Sequence, residues 1–190
     1  MSRDEVGVCE TRDSAAGVDV LLYLQELELK PVRFNVDIPA GEIDYYEQVT
    51  QTSPLHAQGV AELVNNSLGE LRIHGSLQVS VEAACDRCLG DAILPLETDL
   101  DLFYRPMSYI ARDEEIEIDE GEAEIGFYEG EGMELEDVLR EQILLLLPMQ
   151  RVCREDCKGI CPLCGRNRNE AACQCKAETV DDRWQALRDI

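Results

Sequence analysis

Apolar and polar residues alternate strictly in "VRFNVDI", which places Val32, Phe34, Val36 and Ile38 on one side. A period of two predicts a half-buried strand. Pro39-Ala40-Gly41 ends it. The stretches "LHAQGVAELV" and "LGELRIHGSLQVSVEAAC" predict two long strands around the turn "NNSLG". In the second, Leu71, Ile73, Leu77, Val79 and Val81 fall on alternate positions, and Gly75 fills the gap. A turn rich in Asn, Ser and Gly between two such runs predicts a hairpin. "AILPLETDLDLFY" then resumes extended character, so "CDRC" falls at a turn between two strands. "VDVLLYLQEL", residues 18–27, allows either a short helix or a strand.

The period changes in "MELEDVLREQILLLLP". Leu135, Val138, Leu139, Gln142, Ile143 and Leu146 follow helical spacing. Acids occupy the first turn, where the helix dipole favours them. Leu144, Leu145 and Leu147 widen the apolar face and predict a deeply buried end, and Pro148 stops the helix. "TVDDRWQALRDI" predicts a capped final helix with Trp184, Leu187 and Ile190 on one side.

Charge changes the picture in one place. The chain of 190 residues carries 40 acids against 17 bases, a net charge of -23. Residues 113–141 hold fourteen of those acids and one base, Arg140. The first part of this run reads as a mobile acidic loop, although Ile116, Ile118, Ile125 and Phe127 allow a short edge strand. So negative a surface opposes non-specific nucleic-acid binding and suits basic partners such as ribosomal proteins. Residues 1–17 are polar and aperiodic, which predicts a flexible tail. They show no basic and apolar leader, and the longest apolar run, "ILLLLPM", is too short for a span. A cytoplasmic protein with reduced thiols is therefore expected, with no membrane partner and no small-molecule substrate.

A chain of this length buries about 70% of its unfolded surface without crosslinks. Its nine cysteines therefore need a local reason. Cys9 stands alone, and the other eight come in close pairs. Two thiolates spaced CxxC on a tight turn reach one metal, and neighbouring N–H groups offset their charge. Cys161, Cys164, Cys173 and Cys175 can close one knuckle, with Pro162 fixing φ and Gly165 turning the chain away. Cys85, Cys88, Cys153 and Cys157 remain for a second site, with Cys153 free or Cys157 in the knuckle as alternative pairings. Zinc, two ions per chain, is the expected cofactor. Disulfides and an iron–sulfur cluster or redox dithiol are the competing readings. His56 and His74 read as structural residues, either of which could replace a cysteine.

All-thiolate sites are normally closed to water, and no nucleophile elbow, Walker loop or dinucleotide fingerprint is present. No catalytic residue is assigned. The one locally basic stretch spans residues 151–176, where Arg166 and Arg168 in "GRNRN" are candidates for RNA or phosphate contact. The plainer reading is that these cations offset zinc–thiolate charge.

"CDRCL" after a long strand, a leucine-rich helix ending "LLLLP", "CKGICPLCGRNRN" with "CQC", and a closing "DDRW" resemble the bacterial YceD family. This is the large ribosomal RNA subunit accumulation family. The resemblance implies a role in accumulation or processing of large-subunit ribosomal RNA, with that RNA or a basic ribosomal protein as partner. Some family members keep the upstream CxxC and lack the later cysteines. The expected fold is α+β: an antiparallel sheet, with barrel-like closure as an option, one long packed helix and a C-terminal zinc-knuckle module. The expected division is a tail at 1–17, a core at 18–150 with an acidic loop at 113–132, and a cysteine-rich module with a terminal helix at 151–190. A non-enzymatic accessory factor leads. An acidic adaptor or chaperone for a basic protein, and a zinc-dependent RNA-processing enzyme, are the alternatives.

Overall fold

Strong alternation in the middle of the chain becomes one continuous set of strands in the computed structural model, which describes residues 20–46, 49–64, 67, 69–108 and 125–175. The chain divides into two compact units. The first runs to Glu82 and resumes from Ile93 to Pro148. The second joins Ala83–Ala92 to the segment beginning at Met149.

The first unit is mostly sheet. Residues 21–27 are both candidates at once, a three-residue strand β1 (Leu21–Tyr23) and a single helical turn α1 (Leu24–Leu27). The alternating heptapeptide is β2 (Val32–Ile38), and β3 (Val49–Gln51) is a short addition. The hairpin strands are β4 (Leu55–Leu63) and β5 (Leu71–Ala84), followed by β6 (Asp91–Pro106). β7 (Ile125–Tyr128) and β8 (Gly132–Glu134) lie within the acidic stretch and lead into α2 (Leu135–Leu146).

Six strands run in the order β2-β4-β5-β6-β7, with β3 paired to β5, and β1 pairs with β8 in a separate ribbon. Barrel-like closure is not observed among the described residues: β2 and β7 end the order without bonding to each other, so the sheet they form is open. Nor is it purely antiparallel, because β6 and β7 pair in parallel with Tyr104 opposite Gly126. The edge strand that Ile125 and Phe127 allow as the alternative to an acidic loop at 113–132 is thus β7 (Ile125–Tyr128). Ile116 and Ile118, the tail at 1–17 and the predicted terminal helix lie outside the described residues.

Three strands meet where two glycines face each other beside a phenylalanine. Phe34 pairs with Gly59 across β2–β4, and Gly59 pairs with Gly75 across β4–β5. The backbones approach so closely that a Cβ on Gly75 would lie 2.1 Å from the Gln58 carbonyl oxygen. The buried Phe34 ring covers the space beside Gly59. The gap in the β5 alternation is therefore a packing requirement.

Leu55, Leu71, Ile73, Leu77, Val79 and Val81 form one core with Leu135, Val138, Leu139 and Ile143 of α2. Each fully buried aliphatic side chain contributes about 1.5–3 kcal/mol of transfer free energy. The far end of α2 is less buried than its leucines predict. Leu144, Leu146 and Leu147 are half-buried, and Leu145 is 71% exposed. Leu145 lies about 200° round the helix from Ile143, so both cannot face one core. Arg140 ties the exposed side through Glu136 at 2.7 Å and Asp137 at 2.5 Å. Among the described residues, no helix is long and apolar enough to cross a membrane.

Candidate metal centres

Two turns of the second unit share one backbone pattern. In the first, the Leu89 N–H donates to the Cys85 carbonyl at 2.9 Å, and the Cys85 N–H donates to the Gly90 carbonyl at 2.8 Å. In the second, the Gly165 N–H donates to the Cys161 carbonyl and the Cys161 N–H to the Arg166 carbonyl, both at 2.8 Å. Each CxxC pair is thereby closed into a tight turn. The following residue is left-handed in both, Gly165 at φ 70 and Leu89 at φ 60. Glycine adopts that conformation freely, whereas a leucine is strained by roughly 1 kcal/mol or more. Leu89 is 69% exposed, so little burial offsets its strain. Leu89→Gly should therefore raise the stability of the protein by about 0.5–1 kcal/mol. A urea midpoint reads this, and a lowered midpoint would overturn the strain argument.

Backbone contacts bring the segment after Met149 alongside the first turn. The Asp86 N–H donates to the Arg151 carbonyl at 2.8 Å, and the Arg151 N–H donates to Asp86 Oδ2 at 2.6 Å. The Ile160 N–H donates to the Arg87 carbonyl at 2.9 Å. Arg87 Nη1 returns a bond to the Glu155 carbonyl at 3.0 Å. A Cβ at position 159 would lie 2.8 Å from the Arg87 carbonyl oxygen, which explains a glycine there.

This framework gathers the thiols into two groups. Cys85, Cys88, Cys153 and Cys157 form one, and Cys161, Cys164, Cys173 and Cys175 the other; within each, all sulfurs lie within 4.8 Å of one another. Neither alternative pairing, with Cys153 left out or Cys157 in the knuckle, describes the arrangement. Neither histidine joins a group: His56 bonds to Asp37, and His74 lies 4.0 Å from Glu62. Cys85 and Cys157 sulfurs are 3.9 Å apart, and Cys88 and Cys153 sulfurs 3.7 Å. Four thiolates at about 2.3 Å from a tetrahedral zinc stand about 3.8 Å apart, so the cage has the right size for that ion. A disulfide needs about 2.05 Å, and the eight described cysteines are free thiols.

Charge within the cages is arranged unevenly. Burial raises the Cys85 thiol, but N–H groups of Cys153, Cys88 and Arg87 outweigh it and hold the thiol at about 6. The Asn169 side chain lowers Cys157. The Gly90 N–H pulls Cys88 down, yet partial desolvation and the sulfurs of Cys85 and Cys157 leave it raised. Desolvation and the sulfurs of Cys157 and Cys88 push Cys153 up to about 12, although its outer side faces solvent. The second cage repeats the split. N–H groups of Cys164 and Leu163 hold Cys161 at about 6, while the Cys164 sulfur and desolvation push Cys175 up to about 12. Without a cation, each cage keeps some thiols protonated because its thiolates repel one another. A divalent cation bound there would neutralise that charge and favour full deprotonation.

Arg166 and Arg168 lie on the loop between the cysteine pairs of the second cage. Their backbones are engaged, through the Arg166 carbonyl and an Arg168 N–H bond to the Gly159 carbonyl at 2.9 Å. Their side chains are exposed, and no ion pair engages them among the described residues. By contrast, Arg154 is held by Asp156 and Asn169. The sequence drew attention to the cations of "GRNRN" and to Asn169 only as their neighbour, whereas its Nδ2 donates to Cys157 Sγ at 3.2 Å. An asparagine two residues beyond another carries no spacing signal.

The family model described as large ribosomal RNA subunit accumulation protein YceD matches residues 73–190. The chain belongs to the YceD family. The match takes in all eight residues of the two cages. The chain is also 33% identical over 119 residues to an uncharacterized protein of Mycobacterium bovis, and equally to uncharacterized proteins of two Mycobacterium tuberculosis strains. These matches cover 62% of this chain and 54% of each relative, so the chain spans about half the length of the curated relatives it matches. No solved structure matches.

Proposed function

We propose that this protein is a non-enzymatic accessory factor in the accumulation of large-subunit ribosomal RNA, with one structural zinc ion in each cysteine cage. Membership in a family described by that accumulation carries the reading. The eight thiols fit the metal part: four sulfurs per cage satisfy a tetrahedral ion and leave no position for a reacting water. That supports a structural ion over a zinc-dependent RNA-processing enzyme. Exposed Arg166 and Arg168 are the proposed RNA contacts, because guanidinium groups meet phosphates in a bidentate fork. Depleting the protein from its host should lower large-subunit ribosomal RNA relative to small-subunit RNA. Re-expression of the parent chain should restore the ratio. An unchanged ratio on depletion would refute the reading.

The net charge of -23 favours a second reading, an adaptor for a basic ribosomal protein without direct RNA contact. Neutralising Glu114, Glu115, Glu117, Asp119, Glu120, Glu122 and Glu124 should then reduce capture of that partner at least tenfold. Capture by the parent should also weaken steeply with salt. Ultraviolet crosslinking to RNA that survives this neutralisation and is lost in Arg166→Glu with Arg168→Glu would favour the first reading over the second.

A further inference from the structure

One amide of the second cage's loop reaches the first cage. Asn169 lies between the pairs Cys161/Cys164 and Cys173/Cys175, yet its Nδ2 donates to Cys157 Sγ at 3.2 Å. The orientation of the amide is fixed independently. Its Oδ1 accepts from the Lys158 N–H at 2.8 Å and from Arg154 Nη2 at 2.9 Å. Two donors on one atom require that atom to be the oxygen, which leaves the NH₂ facing the sulfur. The Asn169 N–H is itself held by Asn167 Oδ1 at 3.0 Å. The loop is anchored to the link between the cages: Arg168 N–H bonds to the Gly159 carbonyl, and Ile160 bridges Asn167.

We infer that the two metal sites are coupled, and that Asn169 is the positioning residue through which an ion in the Cys161–Cys175 cage strengthens binding in the Cys85–Cys157 cage. This rests on the reading of both cages as metal sites. The physical argument has two steps. An N–H···S bond stabilises a metal thiolate and orients it, and outer-shell partners of this kind typically change affinity by about 10–100-fold. Asn169 can hold that position only while its loop is folded, and closing the second cage folds the loop. Coupling between binding sites is reciprocal, so an ion in the first cage strengthens the second by the same factor.

The test uses the full chain and Co²⁺ in place of Zn²⁺, titrated against a competing chelator. Asn169→Ala should weaken the first site about tenfold or more and leave the intrinsic affinity of the second unchanged. Asn169→Asp keeps the acceptor oxygens for Lys158 and Arg154 and places a carboxylate oxygen against Cys157 Sγ. It should weaken the first site at least as much while the far-ultraviolet circular dichroism stays that of the parent. Loss of the N–H···S bond should also move the sulfur-to-cobalt charge-transfer band of the first site to lower energy, a shift that a purely structural role for the amide would not produce. Cys164→Ser with Cys173→Ser should weaken the first site in the parent background and have little further effect with Asn169→Ala. Two ions bound with first-site affinity and band unchanged in Asn169→Asp would overturn the coupling. A parent chain that binds no metal would instead overturn the metal reading itself.

Discussion

On the reading of both cages as metal sites, replacing Cys85 and Cys88 together by serine is expected to lower the metal content from two ions per chain to one. Cys85 is fully buried, and its sulfur lies 3.9 Å from Cys157 and accepts the Cys153 N–H at 3.4 Å. Cys88 lies 3.7 Å from Cys153. Removing both halves the thiolate count of the first cage, and hydroxyl groups do not replace thiolates as ligands for a borderline-soft ion. The second cage keeps its four thiols. Structural zinc in small peptides contributes an apparent 10–16 kcal/mol at neutral pH, of which the coordinated fold retains a part. The segment from Met149 to Cys157 has little secondary structure of its own, so its order depends on the Asp86–Arg151 bonds and on an ion bound in the first cage, where the cage holds one. It should become a preferred cleavage site in limited proteolysis. Metal analysis after gel filtration, with native thiol titration, reads the result. A double variant that retains two ions would show that the hairpin tip is not a ligand pair.

That experiment addresses the part of the molecule that counting could reach. Eight thiols in close pairs divide four and four, and six of them lie between Cys153 and Cys175. Strands β2, β4 and β5 were legible because alternation continues over seven or more residues, and α2 because its apolar stripe runs over three turns. What alternation cannot carry is the partner. Nothing in "IGFY" specifies that β7 pairs in parallel with β6, since a parallel partner is set by the crossover path and not by local sequence. A three-residue strand such as β1, or one turn such as α1, is too short to establish a period. The reach of Asn169 to Cys157 is invisible for the same reason. It depends on how the knuckle loop folds back, and a hydrogen bond to sulfur leaves no spacing pattern.

Gly75→Val is expected to abolish the native fold of the first unit, with a loss of about 4 kcal/mol or more. The residue looks like an interruption in a strand that otherwise alternates well, and valine would improve the strand propensity of β5. Close approach decides against it. Gly75 faces Gly59 directly across the β4–β5 ladder. A Cβ would lie 2.1 Å from the Gln58 carbonyl oxygen and 2.6 Å from the Gly59 Cα, and both are backbone atoms in the centre of a sheet. Neither can move without separating the ladder that runs from His56–Gln78 to Leu63–Leu71. Leu71, Ile73 and Leu77, all at 1% exposure or less, occupy positions along that same ladder. Propensity is worth at most about 1 kcal/mol, while opening the ladder disturbs several of these burials at about 1.5–3 kcal/mol each. Gly75→Ala should be milder but still destabilising, because the overlap begins at Cβ. Circular dichroism and the urea midpoint of the first unit measure both variants. A valine variant with a parent-like midpoint would mean that the two backbones can separate here without loss of the core.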